Sequence, residues 1–358
     1  MQPDPVIHRQ QAFSGTIQAD IESAVLEAYL TQHLDGFSGP LTLARFKGGQ
    51  SNPTYKLSTP GRSYVLRRKP FGKLLPSAHA IDREYRVTAA LAEAGFAVPR
   101  PLHQCTDDTV IGAAFYVMEH AEGRVFWEPH APGLAVNERA ALFDSLNATI
   151  AALHSLNPVA LGLNDFGKPQ GYVARQIKRW SEQYRASETE TIAEMDRLID
   201  WLPGVCPVDS GAAVVHGDFR LDNCIIHPTE PRVIAVLDWE LSTLGDPLAD
   251  FTYHLMQWFM PRSETGAGVG SLLGHETEPG LPSIDSYIAD YCRRTGRSGI
   301  PGLNIYMAYN FFRLAAILQG ILGRVRDGTA ANAQAAAMAK QVRPLAETAS
   351  DFARKAGA

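Results

Sequence analysis

Short apolar runs separated by turns dominate the first third of the chain. Residues 45–57 predict a strand, a small-residue turn and a second strand, and further strands are predicted at 64–67 and 115–119. Between them, side chains recur at the spacing of one helical face, at Ile81, Tyr85, Thr88 and Leu91. Ser77 can cap this helix and Gly95 can end it. The pattern therefore predicts a sheet-forming segment with one amphipathic helix.

Longer amphipathic stretches follow and predict helices. Asn137 can cap a helix whose apolar stripe stops near 157–158, where a proline follows an asparagine. His154 lies near the end of that stripe, where a structural role is favoured over a catalytic one. Residues 173–202 predict a more charged, surface helical region. The alanine-rich tail at 329–358 predicts one or two terminal helices.

The most informative stretch spans residues 216–223 and is followed by Asp238. Two strand-like runs within 224–237, joined by a turn, predict a hairpin that brings Asp238 beside Asn223. An amide and a carboxylate placed in this way can hold Mg²⁺ on ATP phosphates, while Asp218 orients and deprotonates an acceptor hydroxyl. Taken singly, each residue is better explained by an ordinary polar turn or a helix cap. The ordered set with its flanking strands favours the catalytic interpretation.

This block is similar to the catalytic and metal-binding loops of the aminoglycoside phosphotransferase and choline kinase family, which shares the protein-kinase fold. The resemblance implies an α+β, two-lobed structure. Residues 1–119 would form an antiparallel sheet with a helix that binds nucleotide, and residues 120–358 a larger, mainly helical lobe for catalysis and acceptor binding. ATP and Mg²⁺ are the implied cofactors, with ATP between the lobes. Asp218 would be the catalytic base, and Asn223 and Asp238 the metal ligands.

The segment from Gly48 to Asn52 is the candidate phosphate loop. Gly48 and Gly49 allow the backbone to approach phosphate oxygens, and Ser51 and Asn52 can add hydrogen-bond donors. A glycine pair alone more often forms a plain hairpin turn. Its position before a second predicted strand favours nucleotide binding.

Arg67 occupies the position where kinases carry a Lys that binds the α- and β-phosphates. Strand alternation puts Arg67 on the same face as Val65, toward the expected nucleotide cleft, while the neighbouring Arg68 and Lys69 stay open as alternatives. The resemblance implies that Glu84, on the following helix, pairs with this cation. A solvated surface glutamate is the alternative.

The strand at 115–119 turns polar at Glu119 and His120. This is the position of the hinge in the fold that the chain resembles, where backbone groups hydrogen-bond adenine. Side-chain identity is weakly constrained at such a hinge. Glu119 and His120 are therefore candidate nucleotide contacts on position alone.

Two further polar residues are assigned to the catalytic centre. Arg220 follows Asp218 by two residues, the spacing at which protein kinases carry a Lys that reaches the transferred phosphoryl group. It can stabilise transition-state charge, bind an acidic substrate or pair with Asp222, and these roles stay open. Asp250 is expected to support the catalytic loop from behind, as the corresponding acid does in the family. It could also cap the helix that begins there, and the two roles are compatible.

Composition narrows the class of protein. With 358 residues, 45% of them hydrophobic and 20% charged, and a net charge of −5, the chain is predicted to be a soluble protein of more than one subdomain. Mild acidity without a long basic run argues against nucleic acid as a partner, and no apolar run approaches membrane-spanning length. The four cysteines include no Cys-x-x-Cys pair, and residues 1–11 lack the apolar core of a signal peptide. A cytoplasmic location is expected.

The motifs at 64–70, 216–223 and 237–247 are most similar to the kinase-like module found fused to acyl-CoA dehydrogenase domains. That resemblance implies a small-molecule hydroxyl as acceptor, with a hydroxyacyl-CoA thioester as the first hypothesis. It also implies a functional link to an acyl-CoA dehydrogenase. Aromatic residues could enclose the acyl chain, although at helical spacing they are more often core: Tyr253, Trp258, Tyr306, Tyr309 and Phe312.

Two alternative functions stay open. The first is a kinase for an aminoglycoside or a choline-like amine, but residues 251–328 carry seven arginines against six acids, which disfavours a strongly cation-binding pocket. The second is a catalytically silent, kinase-like binding module, motivated by Arg67 in place of Lys. The intact set of Asp218, Asn223 and Asp238 argues against it, because binding alone needs no base. Oligomeric state and regulation are not specified by the sequence.

Overall fold

The computed structural model describes residues 16–47, 52–71, 80–262, 270–327 and 340–358. The chain divides into two compact units, a first unit of Met1–Trp127 with Asn223–Ser242 and a second unit of Glu128–Asp222 with Thr243–Ala358. The first unit thus extends beyond residue 119, the boundary predicted from the sequence. It also includes the segment after Asp222, because backbone hydrogen bonds join Val236 to Ala97 and Ile226 to Arg124.

An antiparallel sheet forms the centre of the first unit. Its strands in chain order are β1 Thr16–Gln18, β2 Thr42–Phe46, β3 Thr54–Ser58, β4 Ser63–Arg68, β5 Pro101–Cys105 and β6 Phe115–Glu119. They are arranged in the order β1-β2-β3-β4-β6-β5. The strands predicted from the sequence in this region are confirmed.

The two faces of this sheet have different partners. Helix α1, Ser23–His33, packs with Leu26 and Leu30 into one hydrophobic core with the buried side chains of one face. That face includes Tyr55, Leu57, Tyr64, Leu66, Phe115 and Val117. Because side chains alternate along a strand, Val65 and Arg67 lie on the opposite face.

Helix α2, Ile81–Glu93, confirms the predicted amphipathic helix. Its buried residues are Ile81, Glu84, Val87, Thr88 and Leu91. The chain continues through Gly95, whose φ of 75° lies in the left-handed region that favours glycine after a helix. The proposed cap Ser77 lies outside the described residues, and Ala80 occupies the N-cap position without a side-chain hydrogen bond.

A second pairing in the first unit joins β8, Cys224–Ile226, to β9, Val233–Val236. The strands are antiparallel, and Cys224 lies opposite Val236. The predicted hairpin is therefore confirmed, and the residues that flank it, Asn223 and Leu237, lie opposite each other.

The second unit is mainly helical in its described part. Its helices are α3 Val136–Ser155, α4 Tyr172–Ser187, α5 Ala193–Val205, α6 Pro247–Leu255, α7 Ile284–Arg294, α8 Leu303–Arg326 and α9 Val342–Lys355. Strand β7, Ala213–Val215, pairs antiparallel with β10, Thr243–Gly245. The mixed α+β class predicted from the sequence is confirmed, and so is a helix in the C-terminal tail.

Two helix starts differ from prediction. Asn137 lies inside α3, and the backbone N–H of Ala135 at the N-cap is instead satisfied by the Glu138 carboxylate at 3.1 Å. Helix α6 begins at Pro247 and is capped by Asp246, whose carboxylate accepts from the N–H of Leu248 at 2.9 Å. Proline at the first helical position has no N–H to satisfy, so this start is favourable.

Helix α8 is long and apolar enough to cross a membrane by length and composition. However, 72% of its most apolar window is buried inside the protein. It packs against α4, α6 and α9. These contacts are typical of the core helix of a globular fold.

Candidate active site

Arg67 and Glu84 form a buried ion pair in the first unit. Arg67 extends from β4, and its Nε lies 2.7 Å from Oε2 of Glu84 on α2. Nη2 of Arg67 donates to the other carboxylate oxygen of Glu84 at 3.2 Å. Burial lowers the pKa of Arg67, but the carboxylates of Glu84 and Asp238 outweigh it and raise that pKa, so the guanidinium stays charged.

Two uncharged side chains hold the Glu84 carboxylate in place. The Asn52 amide donates to one oxygen at 3.0 Å, and the Tyr116 hydroxyl donates to the other at 3.2 Å. Burial raises the pKa of Glu84, and Arg67 opposes that shift. Glu84 is thus a buried partner of Arg67 in this structure, and the surface-glutamate alternative does not describe it. The Asn52 amide, predicted as a phosphate donor, is directed at Glu84.

The two cations that follow Arg67 have other partners. Arg68 lies on the α1 face of the sheet, where its guanidinium pairs with Asp20 at 2.8 Å and donates to the Tyr55 hydroxyl at 3.0 Å. Lys69 lies 4.0 Å from Asp82. Alternation along β4 explains the difference, since adjacent residues face opposite sides. Arg67 is therefore the cation beside Glu84.

The β8–β9 hairpin brings Asn223 close to Asp238 along the backbone. The N–H of Leu237 donates to the carbonyl of Asn223 at 2.8 Å, which extends the strand pairing by one residue pair. Asp238 follows directly, with φ 64° and ψ 64°. Among the described residues other than glycine, only Ala131 shares such a positive φ. A left-handed non-glycine residue costs about 1–3 kcal/mol, and such residues cluster at functional sites.

Asp238 also belongs to the Arg67 group. Its Oδ1 accepts from Nη2 of Arg67 at 3.1 Å, and Oε2 of Glu240 lies 3.8 Å from the same nitrogen. One guanidinium therefore faces three carboxylates, a net charge of about −2 if all are ionised. Carboxylate and amide oxygens are the ligands that Mg²⁺ prefers. Asn223 and Asp238 offer such oxygen ligands, and the group carries excess negative charge. Both features fit a magnesium ion.

The remaining predicted nucleotide contacts are not in this group. Gly48, Gly49 and Ser51 lie outside the described residues. The Glu119 carboxylate pairs with Arg62 at 2.8 Å and with Arg100 at 2.9 Å. The N–H of Glu119 donates to the carbonyl of Arg100, which occupies that backbone donor. His120 is half-buried, and burial lowers its pKa.

In the second unit, a buried carboxylate holds the loop that carries Asp218. The two oxygens of Asp250 accept from the N–H groups of His216 at 2.7 Å and Gly217 at 2.8 Å. His154 approaches Asp250 with Nε2 at 3.1 Å, and its Nδ1 bonds to the hydroxyl of Tyr291 at 2.8 Å. The expected support of the loop by Asp250 is confirmed, and His154 contributes to that support. Asp250 is not the N-cap of α6, because the helix starts one turn earlier at Asp246.

Charge favours an ionised Asp250. Burial alone would raise its pKa, but the hydrogen bond from His154 and the interactions with His216 outweigh burial and lower it. A fixed negative charge beneath two backbone N–H groups restricts the loop to one conformation. Gly217 adopts φ 84° there, a conformation that glycine provides without steric cost.

Asp218 is partly exposed, and its carboxylate contacts Tyr253 and Arg220. Its Oδ1 accepts from the hydroxyl of Tyr253 at 2.8 Å and lies 3.1 Å from Nε of Arg220. Nη2 of Arg220 lies 3.3 Å from Asp222. The pairing of Arg220 with Asp222 that the sequence left open is therefore present. Burial and the nearby Asp218 raise the pKa of Tyr253, so its hydroxyl keeps the proton that it donates.

Arg313 is a contact of this loop that the sequence interpretation missed. It extends from the buried face of α8, donates from Nη2 to the carbonyl of Gly217 at 3.2 Å, and lies over the ring of Tyr253 at 5.1 Å. Tyr253 itself was considered only as a wall for an acyl chain. Its position three residues after Asp250 on one helix was the available signal, because such residues share a face.

The other aromatic candidates for an acyl-binding wall are core residues. Tyr306, Tyr309 and Phe312 are at most 1% exposed, and Trp258 is 7% exposed. The Tyr306 hydroxyl donates to Asp246 at 2.6 Å. These four residues stabilise the helical core, as their helical spacing suggested.

His254 gives a test of the buried structure beneath the loop. Its Nδ1 bonds to the carbonyl of Phe219 at 3.2 Å and its Nε2 to the hydroxyl of Tyr287 at 2.8 Å. Since a carbonyl only accepts, Nδ1 carries the proton and Nε2 accepts. Burial lowers the pKa of His254 from 6.5 to about 4. Between about pH 4 and 6.5, His254 is therefore neutral in the folded chain and protonated in the unfolded chain.

We expect the free energy of unfolding to fall as pH drops from about 6.5 toward 4, by up to about 3 kcal/mol from His254 alone. Stability from this group is fully present above pH 6.5. In His254→Asn, the Asn amide can still donate to Phe219. The free energy of unfolding should then depend less steeply on pH, with about one proton fewer taken up on unfolding. Urea unfolding at several pH values measures this, with His227→Gln as a control at a partly exposed histidine. Parallel profiles for His254→Asn and wild type would contradict the assignment.

The sequence matches a model of the phosphotransferase enzyme family over residues 42–297. The chain therefore belongs to this family. It is 46% identical over 342 residues to acyl-CoA dehydrogenase family member 11 of Rattus norvegicus, a match that covers 94% of this chain and 43% of that protein. The chain spans less than half the length of the curated relatives that it matches. The family predicted from the sequence is confirmed. The predicted similarity to a module of acyl-CoA dehydrogenase family members is confirmed as well.

Solved structures share the fold. A candidate aminoglycoside phosphotransferase from Ralstonia eutropha JMP134 is 48% identical, covers 94% of this chain and 99% of its own, and superposes with a TM-score of 0.82. Spectinomycin phosphotransferase, solved in complex with ADP and spectinomycin, is 13% identical and gives a TM-score of 0.62 over 93% of this chain and all of its own. The kinase-like α+β fold predicted from the sequence is confirmed.

Proposed function

We propose that the protein is an ATP- and Mg²⁺-dependent phosphotransferase that phosphorylates a hydroxyl group of a small molecule, with a hydroxyacyl-CoA as the first candidate acceptor. The observation that carries the proposal is the geometry around Asp218. Its carboxylate is partly exposed on a loop whose backbone is fixed by the buried Asp250. A loop held in this way can present a base to an acceptor hydroxyl without reorganisation.

The first unit supplies nucleotide and metal binding in this proposal. Arg67, oriented by Glu84, would bind ATP phosphates, and Asn223 and Asp238 would hold Mg²⁺. Bound Mg²⁺ would neutralise charge on the phosphates. The presence of Arg instead of Lys is compatible with this role, since a guanidinium can contact Glu84 and Asp238 at once.

The second unit supplies activation of the acceptor. The hydroxyl proton passes to Asp218 as the acceptor oxygen forms a bond to the γ-phosphorus and the bond to the ADP oxygen breaks. The hydrogen bond from Tyr253 orients Asp218, and Arg220 pairs with the same carboxylate oxygen. Tyr253 and Arg220 are positioning residues here, because both contact Asp218 directly.

Support for an acyl-CoA acceptor comes from relatives that are named acyl-CoA dehydrogenase family members. A functional link to an acyl-CoA dehydrogenase and a cytoplasmic location belong to the same proposal. The second candidate is an aminoglycoside, favoured by the 48% identical structure from Ralstonia eutropha. The two candidates differ in charge and are readily separated by assay.

A panel of acceptors tests the proposal. Mg²⁺-dependent release of ADP from ATP is measured with a 4-hydroxyacyl-CoA, the corresponding free hydroxy acid, kanamycin and choline. Stimulation by the thioester alone is the expected result. Stimulation by kanamycin or choline would instead favour an aminoglycoside-type or choline-type kinase. Intact ATP binding without stimulation by any acceptor would favour a binding module.

Replacing Arg67 tests the nucleotide role. Arg67→Met is expected to raise the KM for ATP by at least about tenfold, because it removes a charged contact to phosphate. It also leaves Glu84 buried without its partner, which costs about 3–5 kcal/mol of stability. Initial-rate kinetics and urea unfolding measure both effects.

Arg68→Met is the matched control, since Arg68 is a buried, ion-paired arginine on the opposite face of β4. It should lower stability while the KM for ATP of the folded protein stays within about twofold. An equal rise in KM for both variants would show that the effect of Arg67 is general loss of structure.

A further inference from the structure

A cluster of two histidines and a glutamate lies in the second unit and shares no residue with the candidate active site. One potential ligand atom from each of His130, His275 and Glu278 lies within 4.8 Å of the others. The imidazole rings of His130 and His275 are stacked, with centroids 4.0 Å apart. Nδ1 of His275 donates to Oε1 of Glu278 at 2.5 Å.

The three residues come from two loops far apart in sequence. His130 precedes α3, and His275 and Glu278 lie between α6 and α7. Two hydrogen bonds hold the loop that carries His275 and Glu278. Arg139 of α3 donates to the carbonyl of Pro279 at 2.8 Å. The N–H of Leu272 donates to the carbonyl of Gln257 at 2.7 Å. The loop that carries His275 and Glu278 is therefore held at both of its ends.

One ring nitrogen in the cluster lacks a hydrogen-bond partner among the described residues. Nδ1 of His130 is buried and makes no hydrogen bond within the part of the chain that the structure describes. A buried polar atom without a partner costs about 1–3 kcal/mol. Arg139 lies 3.7 Å from the second oxygen of Glu278, so the carboxylate is held as an anion beside the two rings. The cluster thus combines a carboxylate with a buried ring nitrogen that has no hydrogen-bond partner among the described residues.

The donor chemistry selects a class of ion. Imidazole nitrogens favour zinc and its neighbours in the first transition series, whereas Mg²⁺ favours oxygen ligands. Two imidazoles and one carboxylate leave a fourth position of a tetrahedral site for water. The Asn223 and Asp238 set, by contrast, offers amide and carboxylate oxygens. The two sets would therefore select different ions.

We infer that His130, His275 and Glu278 form a divalent transition-metal site of the zinc type that ties the loop before α3 to the loop before α7. The ion takes the place of the proton between Nδ1 of His275 and Glu278, and the neutral ring then carries its proton on Nε2. Metal–nitrogen and metal–oxygen bonds are about 2.0–2.2 Å long, so His275 and Glu278 separate slightly and the stacked rings tilt toward a common point. Both changes are side-chain rotations within the cluster.

Metal titration of the tag-free, 358-residue chain tests the inference. After treatment with a chelator, the wild type should bind one Zn²⁺ per chain in calorimetry. Zn²⁺ should also raise the melting temperature. With Co²⁺ as the probe, visible ligand-field bands should develop at the same stoichiometry.

His130→Ala and His275→Gln should each weaken Zn²⁺ binding by at least about tenfold and remove the Co²⁺ bands. His227→Gln is the matched control, because His227 and Glu230 form another His–Glu pair at the same spacing, with Nδ1 and Oε1 3.9 Å apart. Its Zn²⁺ affinity should equal that of the wild type. Glu278→Gln provides a second ligand variant if either histidine variant fails to fold by circular dichroism.

Three results would overturn the inference. One is wild-type protein that takes up no Zn²⁺ at micromolar concentrations. Another is binding by His130→Ala, His275→Gln and Glu278→Gln that is as tight as in the wild type. Equal loss in His227→Gln would show that the ion binds to surface His–Glu pairs in general. Zn²⁺ binding, the melting temperature and the Co²⁺ bands are measured without turnover. Their outcome is therefore independent of whether the proposed phosphotransferase activity is found.

Discussion

Asp218→Asn should reduce kcat for phosphoryl transfer by roughly 10²–10⁴-fold, the typical contribution of a positioned general base. Asparagine has nearly the same shape and can still accept the hydrogen bond from Tyr253. It cannot take the proton of an acceptor hydroxyl. The KM for ATP should change little, because the nucleotide is assigned to other residues. Initial rates of ADP formation with saturating acceptor measure the effect.

Asp222→Asn is the control for this substitution. Asp222 lies on the same loop and also pairs with Arg220, so the variant removes a neighbouring carboxylate without removing the proposed base. Its kcat should stay within about tenfold of wild type, an effect typical of a partly exposed ion pair. If Asp218→Asn retained a comparable share of activity, Asp218 would not be the base.

Asp238→Asn should abolish detectable turnover and weaken binding of Mg-ATP, because it removes the charged ligand proposed for the metal. We expect a fall in kcat/KM for ATP of about 10³-fold or more, on the scale of lost electrostatic stabilisation in phosphoryl transfer. Asparagine is preferred to alanine here. The backbone at Asp238 is left-handed, and asparagine tolerates that conformation better.

Glu240→Gln provides the comparison for Asp238→Asn. Glu240 also faces Arg67, at 3.8 Å, but it is not proposed as a metal ligand. Its effect on kcat/KM should be at least tenfold smaller than that of Asp238→Asn. Calorimetric titration with Mg-ATP and with ATP alone separates metal binding from nucleotide binding. Equal affinity of wild type and Asp238→Asn for Mg-ATP would contradict the assignment of the ligand.

Local sequence patterns predicted those parts of the candidate site that depend on neighbouring residues. The apolar runs around a turn predicted the hairpin, and its register leaves Asn223 opposite Leu237, next to Asp238. Alternation along β4 predicted which face carries Arg67. Both inferences hold because strand pairing and strand alternation follow fixed periods.

Contacts between distant segments could not be derived in the same way. The hydrogen bond from Arg313 to Gly217 and the contact of His154 with Asp250 each span 96 residues. Each depends on how helices pack, which no local period specifies. The start of α6 was misplaced for a different reason: Asp246 and Asp250 are both plausible caps, and the proline after Asp246 favours the earlier one.

The hinge prediction shows the limit of inference from position. Glu119 was named because the strand turns polar there, yet its carboxylate pairs with Arg62 and Arg100. Charged residues at strand ends commonly pair across the sheet surface, and sequence order does not show which partner is near. A backbone contact to adenine in this region stays a prediction.

Direct identification of the phosphorylated product tests the central claim. Purified protein is incubated with Mg-ATP and a 4-hydroxyacyl-CoA, and the products are followed by phosphorus NMR and mass spectrometry. The expected result is a phosphate monoester on the acyl chain, formed in equal amount to ADP by the wild type and absent with Asp218→Asn. ADP accompanied only by inorganic phosphate, or a monoester formed equally by Asp218→Asn, would contradict phosphoryl transfer by this site.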